Sequence, residues 1–255
     1  VSTQRRISAV GLPVIGVVAT VGLWWAIVVV FHIRTFFVPA PPDIVAAFRQ
    51  QPDYLLRETW GTLSETLIGF AVAAASGLLI AVALAASRTI ERATLPLFVA
   101  LNSVPKVAIA PLLVVWLGFG PRPKIVLVAL ICFFPVVVST MAGLASTPAE
   151  FSDLVRSLSA SWWQTYVKVR LPWALPQIFV GLKVAISLAV VGAVVAEISN
   201  PNHGLGAVIV LSGASFDTPL AFAAITLLAL ISVALFYLVV GIERLLLPWA
   251  KEITG

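Results

Sequence analysis

The chain has 255 residues with a net charge of +5; 60% of them are hydrophobic and only 11% charged, and its mean hydropathy is +1.07. Soluble domains carry about 25% charged residues, so this composition excludes a water-soluble globular domain, a disordered chain and a coiled coil, and points to a polytopic membrane protein. The single cysteine, Cys132, excludes an intramolecular disulfide framework, and the positive charge reads as basic cytoplasmic loops rather than a nucleic-acid surface.

Six segments meet the length of about 20 apolar residues that one helical crossing needs. The first covers 12–31, within an uncharged run over 7–31. That run is too long for the apolar part of a signal peptide. Despite Arg5 and Arg6 before it and Val38-Pro39-Ala40 after it, a retained helix is expected. The second, 62–86, carries Glu65 near its outer end. The third, 93–117, is interrupted by Pro96, Pro105, Lys106 and Pro111. The fourth, 125–145, contains Pro135. The fifth, 174–198, contains Lys183 and Glu197, and the sixth covers 220–242. Pro105, Pro111 and Pro135 are expected to kink or break their helices. In lipid each span must satisfy its own backbone, which favours helices, and the short alternating strands of a barrel are absent from the sequence. The predicted fold class is all-α: a polytopic bundle of six transmembrane helices forming one domain over 1–255.

Lysine and arginine set the orientation. With the N-terminus inside, the inner segments hold nine of them and the outer segments five, Lys106 and Lys183 being intramembrane. The bias predicts both termini in the cytoplasm. Two crossings carry small residues at steps of four: Gly69, Ala73, Gly77, Ala81 and Ala85 in the second, and Gly181, Ala185, Ala189 and Ala193 in the fifth. Such stripes let helix backbones approach closely, within a bundle or at a subunit contact.

The longest inner segment is 146–172. Thr147-Pro148-Ala149-Glu150 reads as a helix start with a capping box. Phe151, Leu154, Val155, Leu158 and Trp162 follow at helical spacing, opposite Ser152, Asp153, Arg156 and Ser157. Ser161-Trp162-Trp163-Gln164 is a second capping box, opening a helix with Lys168 and Arg170 that runs to Leu171-Pro172. The segment is therefore expected to be two short helices with a bend near Ser159-Ala160. By themselves these residues fit equally a rigid lever for a separate motor and an amphipathic helix lying on lipid.

The run from Glu150 through the bend to Leu171-Pro172 resembles the EAA loop of ABC-importer permeases. Ala174-Leu175-Pro176, Gly181, Lys183 and Glu197 downstream fit the same pattern. Pro39, Pro41, Pro42 and Phe48 resemble the N-terminal segment of the nitrate/sulfonate/taurine type, whose relatives include permeases for thiamine precursors. Pro105-Lys106, Pro111, Trp116, Gly118 and Gly120 resemble that type's third crossing. The resemblance implies a type I ABC-importer permease (MetI-like) fold in the prokaryotic inner membrane. It implies as partners cytoplasmic ABC ATPase subunits, a second permease subunit, with a homodimer expected and a heterodimer left open, an extracytoplasmic solute-binding protein, and lipid. It implies a substrate that is a small anion or a small polar organic molecule. The loop would dock into the ATPase through Glu150, Asp153, Arg156, Ser159, Ala160 and Trp162, with Leu154, Val155 and Leu158 packing it. One departure stands out: Ser159 occupies the bend where the family has glycine, and a side chain in the left-handed conformation costs about 1–2 kcal/mol. The phosphate-binding G-x-x-x-x-G-K-[ST] motif is missing, so ATP hydrolysis is expected on a partner and the chain itself is not expected to be an enzyme.

An ionisable side chain at mid-bilayer costs about 2.5–3.5 kcal/mol, so it faces protein or water. Asn102, Ser103, Lys106, Lys183 and Glu197 are the translocation-pathway candidates. A buried pair, or snorkelling to the interface, is the structural alternative. Lys183 and Glu197 are about 21 Å apart along one helix and cannot pair with each other. In the outer loop 199–219, Asn202-His203-Gly204-Leu205-Gly206 suits a tight turn into a short helix over about 205–212, either a gate or a plain connection. No cofactor and no metal are expected, because two histidines and one cysteine are scattered without ligand spacing. An intramembrane hydrolase built on His203 and Ser212 or Ser215 has no third group to orient its base. The rival is an ion- or proton-coupled secondary transporter, but the internal repeat typical of those folds is not visible.

Overall fold

The computed structural model describes residues 3–85, 88–148, 150–151, 155, 157 and 159–249. Regular structure among them is entirely helical. In order the helices are α1 (Thr3–Val30), α2 (Pro41–Gln50), α3 (Pro52–Ala85), α4 (Arg88–Asn102), α5 (Lys106–Leu117), α6 (Pro121–Ala145), α7 (Trp162–Thr165), α8 (Leu171–Ser199), α9 (Leu205–Ala214) and α10 (Thr218–Leu246). A π turn, Tyr166–Arg170, joins α7 to α8.

Among the described residues four helices are long and apolar enough to cross a membrane: Pro52–Ala85, Pro121–Ala145, Trp163–Ser199 and Thr218–Leu246. The segments Pro96–Asn102 and Lys106–Leu117, bent by 78° to each other, pass the same test of length and composition only when taken together. The break falls at Pro105, which stands at the N-cap of α5; Pro96, Pro111 and Pro135 lie inside helices and do not interrupt them, so a missing N–H alone does not decide the break. The expected first crossing falls on α1, whose apolar part spans Ile15–Val30. Two boundaries differ from the sequence reading. The second crossing begins at Pro52, ten residues earlier than expected from hydropathy: Asp53 and Arg57 of its first turns are exposed, but Leu55 and Glu58 are buried against protein. The fifth is not preceded by a separate short helix. Instead one helical rod of 37 residues runs over Trp163–Ser199, about 55 Å long. Pro172 cannot donate to a carbonyl one turn back, and the wider π turn is built where that donor is missing.

The core is built around α6, which lies between α3 and α8. The two small-residue stripes explain this. On α3, Gly69 lies against Val128 and Gly77 against Val136 of α6. On α8, a Cβ at Gly181 would overlap Ser139 and approach the Pro135 carbonyl to 3.0 Å. Ala73, Ala81, Ala185, Ala189 and Ala193 are all buried. Both stripes therefore make contacts within the bundle. The Cys132 thiol donates to the Ala185 carbonyl at 3.1 Å, closing the α6–α8 seam. α10 packs on α8, α9 and α2, and α5 packs on α6 and α8. α1 meets the bundle through Trp24 on Phe222 of α10, with ring centroids 6.0 Å apart, and through the buried Val28, while most of its other described apolar side chains are exposed, as on a lipid-facing helix.

Candidate functional site

At one end of the bundle lies 146–172. Asp153, Leu154, Arg156 and Leu158 of its expected first helix fall outside the described residues, as does Ala149 of its capping motif. Glu150, Phe151, Val155 and Ser157 are helical and Ser159 turns the chain. The bend has the geometry of a helix C-terminus closed by a left-handed residue. The Ala160 N–H donates to the Val155 carbonyl at 3.2 Å, and Ser159 has φ +54°. Ser159 therefore adopts the strained conformation that glycine would adopt freely. Ser159→Gly is expected to steady the bend by about 1–2 kcal/mol, read as slower amide hydrogen exchange at Ala160.

The second capping motif forms as read from the sequence. The Ser161 N–H donates to Gln164 Oε1 at 3.0 Å, and the Gln164 N–H donates to Ser161 Oγ at 3.3 Å. Two contacts among the described residues tie the segment to the bundle. The buried Tyr166 hydroxyl donates to the Val82 carbonyl of α3 at 3.2 Å, and Phe151 stacks on Trp173 of α8 at 5.3 Å. Trp162 is the first helical residue after the bend. Thus Glu150, Ser159, Ala160 and Trp162 lie along one bent element continuous with α8.

The pathway candidates separate into two groups. Asn102 and Lys106 flank the break between α4 and α5. The Lys106 ammonium donates to Asn102 Oδ1 at 2.7 Å and to its carbonyl at 3.3 Å. Asn102 and Ser103 are exposed and Lys106 is half-buried. Lys183 and Glu197 instead have partners on other helices. Lys183 donates to both carboxylate oxygens of Glu243 on α10, at 3.1 and 2.9 Å. Glu197 is fully buried, accepting from Thr62 Oγ1 at 2.7 Å and from the Gly206 N–H at 2.6 Å.

Glu197 belongs to a larger polar group at the end opposite 146–172. Glu58 accepts from the Gly204 N–H at 2.6 Å, and Thr62 Oγ1 accepts from the Leu205 N–H at 2.8 Å. Three successive amides at the start of α9 are thus met by side chains from α3 and α8, as the unpaired donors of a buried helix N-terminus require. Lys124 of α6 donates to the His203 carbonyl at 2.7 Å and lies 3.6 Å from Glu65 Oε1. Burial and the neighbouring Lys124 hold the His203 imidazole below its ordinary range, against the pull of Glu58. Its 3.4 Å approach to Glu65 is then not a charged pair at neutral pH. Gly204 has φ +102°, and a Cβ there would overlap the Glu197 carboxylate. The turn read from the two glycines forms, and α9 runs to Ala214, two residues beyond the expected end.

Sequence reasoning did not single out Glu58, Thr62, Lys124 or Glu243. A signal was present. Glu58, Thr62 and Glu65 stand at spacings of four and three, one face of α3, continuing into the small-residue face that begins at Gly69. Among the described residues no group of three or more His, Cys, Asp or Glu side chains could hold a metal ion.

Residues 73–252 match the family described as binding-protein-dependent transport system inner membrane component. The chain is 37% identical to the riboflavin transport system permease protein of Chloroflexus aurantiacus, over 94% of this chain and 90% of that one. It is 33% identical to the formylaminopyrimidine transport permease protein of Halalkalibacterium halodurans, over 86% and 88% respectively. Among solved structures, a chain of the MetNI methionine ABC transporter superposes with a TM-score of 0.66 at 20% identity, covering 75% of this chain and 95% of that chain, a likeness of fold.

Proposed function

The chain belongs to the binding-protein-dependent transport system inner membrane component family, and from that premise we propose how its parts divide the work of an importer. It is a multi-pass permease subunit of an ABC importer of the nitrate/sulfonate/taurine type. Its partners are an ATPase and a binding protein. In our reading the chain crosses the membrane six times, counting α1 and the bent α4–α5 pair, with both termini in the cytoplasm. The excess of lysine and arginine on that side supports this. The end carrying 146–172 then faces the cytoplasm, and the Glu58–Glu197 end faces outward.

The observation that carries the coupling role is the rod over Trp163–Ser199. A push on the bent element at Ser159 is delivered along one continuous helix to the far side of the bundle. Glu150, Asp153, Arg156, Ser159, Ala160 and Trp162 form the docking element for a separate ATPase, which hydrolyses the ATP. A second copy of the chain closes the pathway. Supporting this is Lys106, which would be costly against lipid and so needs protein or water around it. Asn102, Ser103 and Lys106 line the pathway between the copies. For Lys183 and Glu197 the cross-helix partners favour the structural role. The substrate class is a small polar organic compound or small anion, in line with the compounds for which the relatives are named.

The test is uptake in proteoliposomes holding the permease with its ATPase and binding protein. Glu150→Ala is expected to lower both ATP-driven uptake and binding-protein-stimulated ATP hydrolysis by about tenfold, the equivalent of about 1.4 kcal/mol of lost docking, while insertion is unchanged. Unaltered uptake and hydrolysis would reject the docking assignment.

A further inference from the structure

The amides of Gly204, Leu205 and Gly206 can meet Glu58, Thr62 and Glu197 only if the turn before them is correctly placed. His203 precedes that turn, and its carbonyl is gripped by Lys124. Lys124 is 1% exposed, an uncommon environment for an ammonium group. The carboxylate beside it, Glu65, is 2% exposed and has no hydrogen-bond partner on either oxygen among the described residues. A buried ion pair with so poor a hydrogen-bond complement is weak evidence for stability, since apolar residues of like volume would serve as well or better. Its geometry is better suited to placement. Glu65 comes from α3, Lys124 from α6 and His203 from the loop after α8, so the pair ties the turn to two helices that do not themselves supply its chain.

We propose that Glu65 and Lys124 are positioning residues for α9: Glu65 holds the Lys124 ammonium, Lys124 holds the His203 carbonyl, and the turn so fixed presents three amides to Glu58, Thr62 and Glu197. This sets how firmly α9 is held against α3 and α8 at the outward end, where an importer has to open and close. The link to transport rests on the permease reading above; the link to the turn does not.

The discriminating variant is the double replacement Glu65→Leu with Lys124→Met. It removes both charges together and leaves apolar groups of similar size, so a pair that served stability alone could be replaced without harm. We expect the double variant to insert and fold, with amide exchange at Gly204, Leu205 and Gly206 faster by tenfold or more, about 1.4 kcal/mol of local opening, and with uptake reduced. Glu65→Asp is the second variant: it keeps the charge but draws the carboxylate back by one methylene, and the same amides are expected to exchange faster by a smaller factor. Unchanged exchange in either variant overturns the proposal. Faster exchange with unchanged uptake overturns its transport half, since α9 would then be placed by the pair but idle in the cycle. Uptake by the unsubstituted protein is the control; its absence would count against the permease reading and leave the exchange result standing.

Discussion

Ser159→Pro is expected to abolish ATP-coupled uptake while leaving a folded, inserted permease. Ser159 sits at φ +54°, and proline is locked near −65°. The bond from Ala160 to the Val155 carbonyl depends on that left-handed residue. An incompatible proline costs about 3 kcal/mol or more, so the native bend would be populated about a hundredfold less. The core around α6 is built from other contacts and stays intact. The measurement is uptake and binding-protein-stimulated ATP hydrolysis, with chemical crosslinking from Ala160→Cys to the ATPase. Loss of the crosslink together with uptake is the expected result. An intact crosslink with normal uptake would show that the bend is not the docking geometry.

The same position shows how far the sequence could be read. The family resemblance marked Ser159 as a departure at the bend. The backbone keeps the left-handed geometry there and bears the strain, which no composition or periodicity could have told. Local signals with a fixed chemical meaning were legible. Ser161 and Gln164 cap each other, the two glycines at 204 and 206 turn into a short helix, and Pro105 breaks the third crossing. Each depends only on neighbours a few residues away.

What could not be read depends on long-range partners. Lys183 and Glu197 stood out as costly intramembrane charges, but the groups that answer them, Glu243 on α10 and Thr62 on α3, are 60 and 135 residues distant. Hydropathy also cut the second crossing short. It leaves Glu58 outside the crossing as loop-like, whereas the helical face that Glu58 shares with Thr62 and Glu65 turns it toward the bundle interior. The small-residue stripes carried the packing correctly as a property of each helix. That both would face α6 required knowing which helix lay between them.

Replacing Glu197 separates the two readings of that residue. Glu197→Ala leaves the Gly206 N–H without an acceptor and the Thr62 hydroxyl with only its longer contact to the Glu58 carbonyl, 3.3 Å away, in a fully buried site. Hydrogen bonds to a charged group are worth about 1.5–3 kcal/mol each, so a loss of about 3–5 kcal/mol is expected, enough to lower the thermal unfolding temperature in detergent sharply and to release α9. Glu197→Gln should be far milder. Its carbonyl can still accept from Gly206. Its amide can donate to Thr62, whose hydroxyl proton then turns to the Glu58 carbonyl already 3.3 Å away. A residue that holds α9 in place therefore gives a severe alanine variant and a nearly normal glutamine variant, in unfolding temperature and uptake alike. A residue that meets substrate through its charge gives the opposite pattern: a folded glutamine variant with no uptake. The second pattern would return Glu197 to the pathway and leave the staple to Glu58 and Thr62, whose bonds to Gly204 and Leu205 do not pass through it.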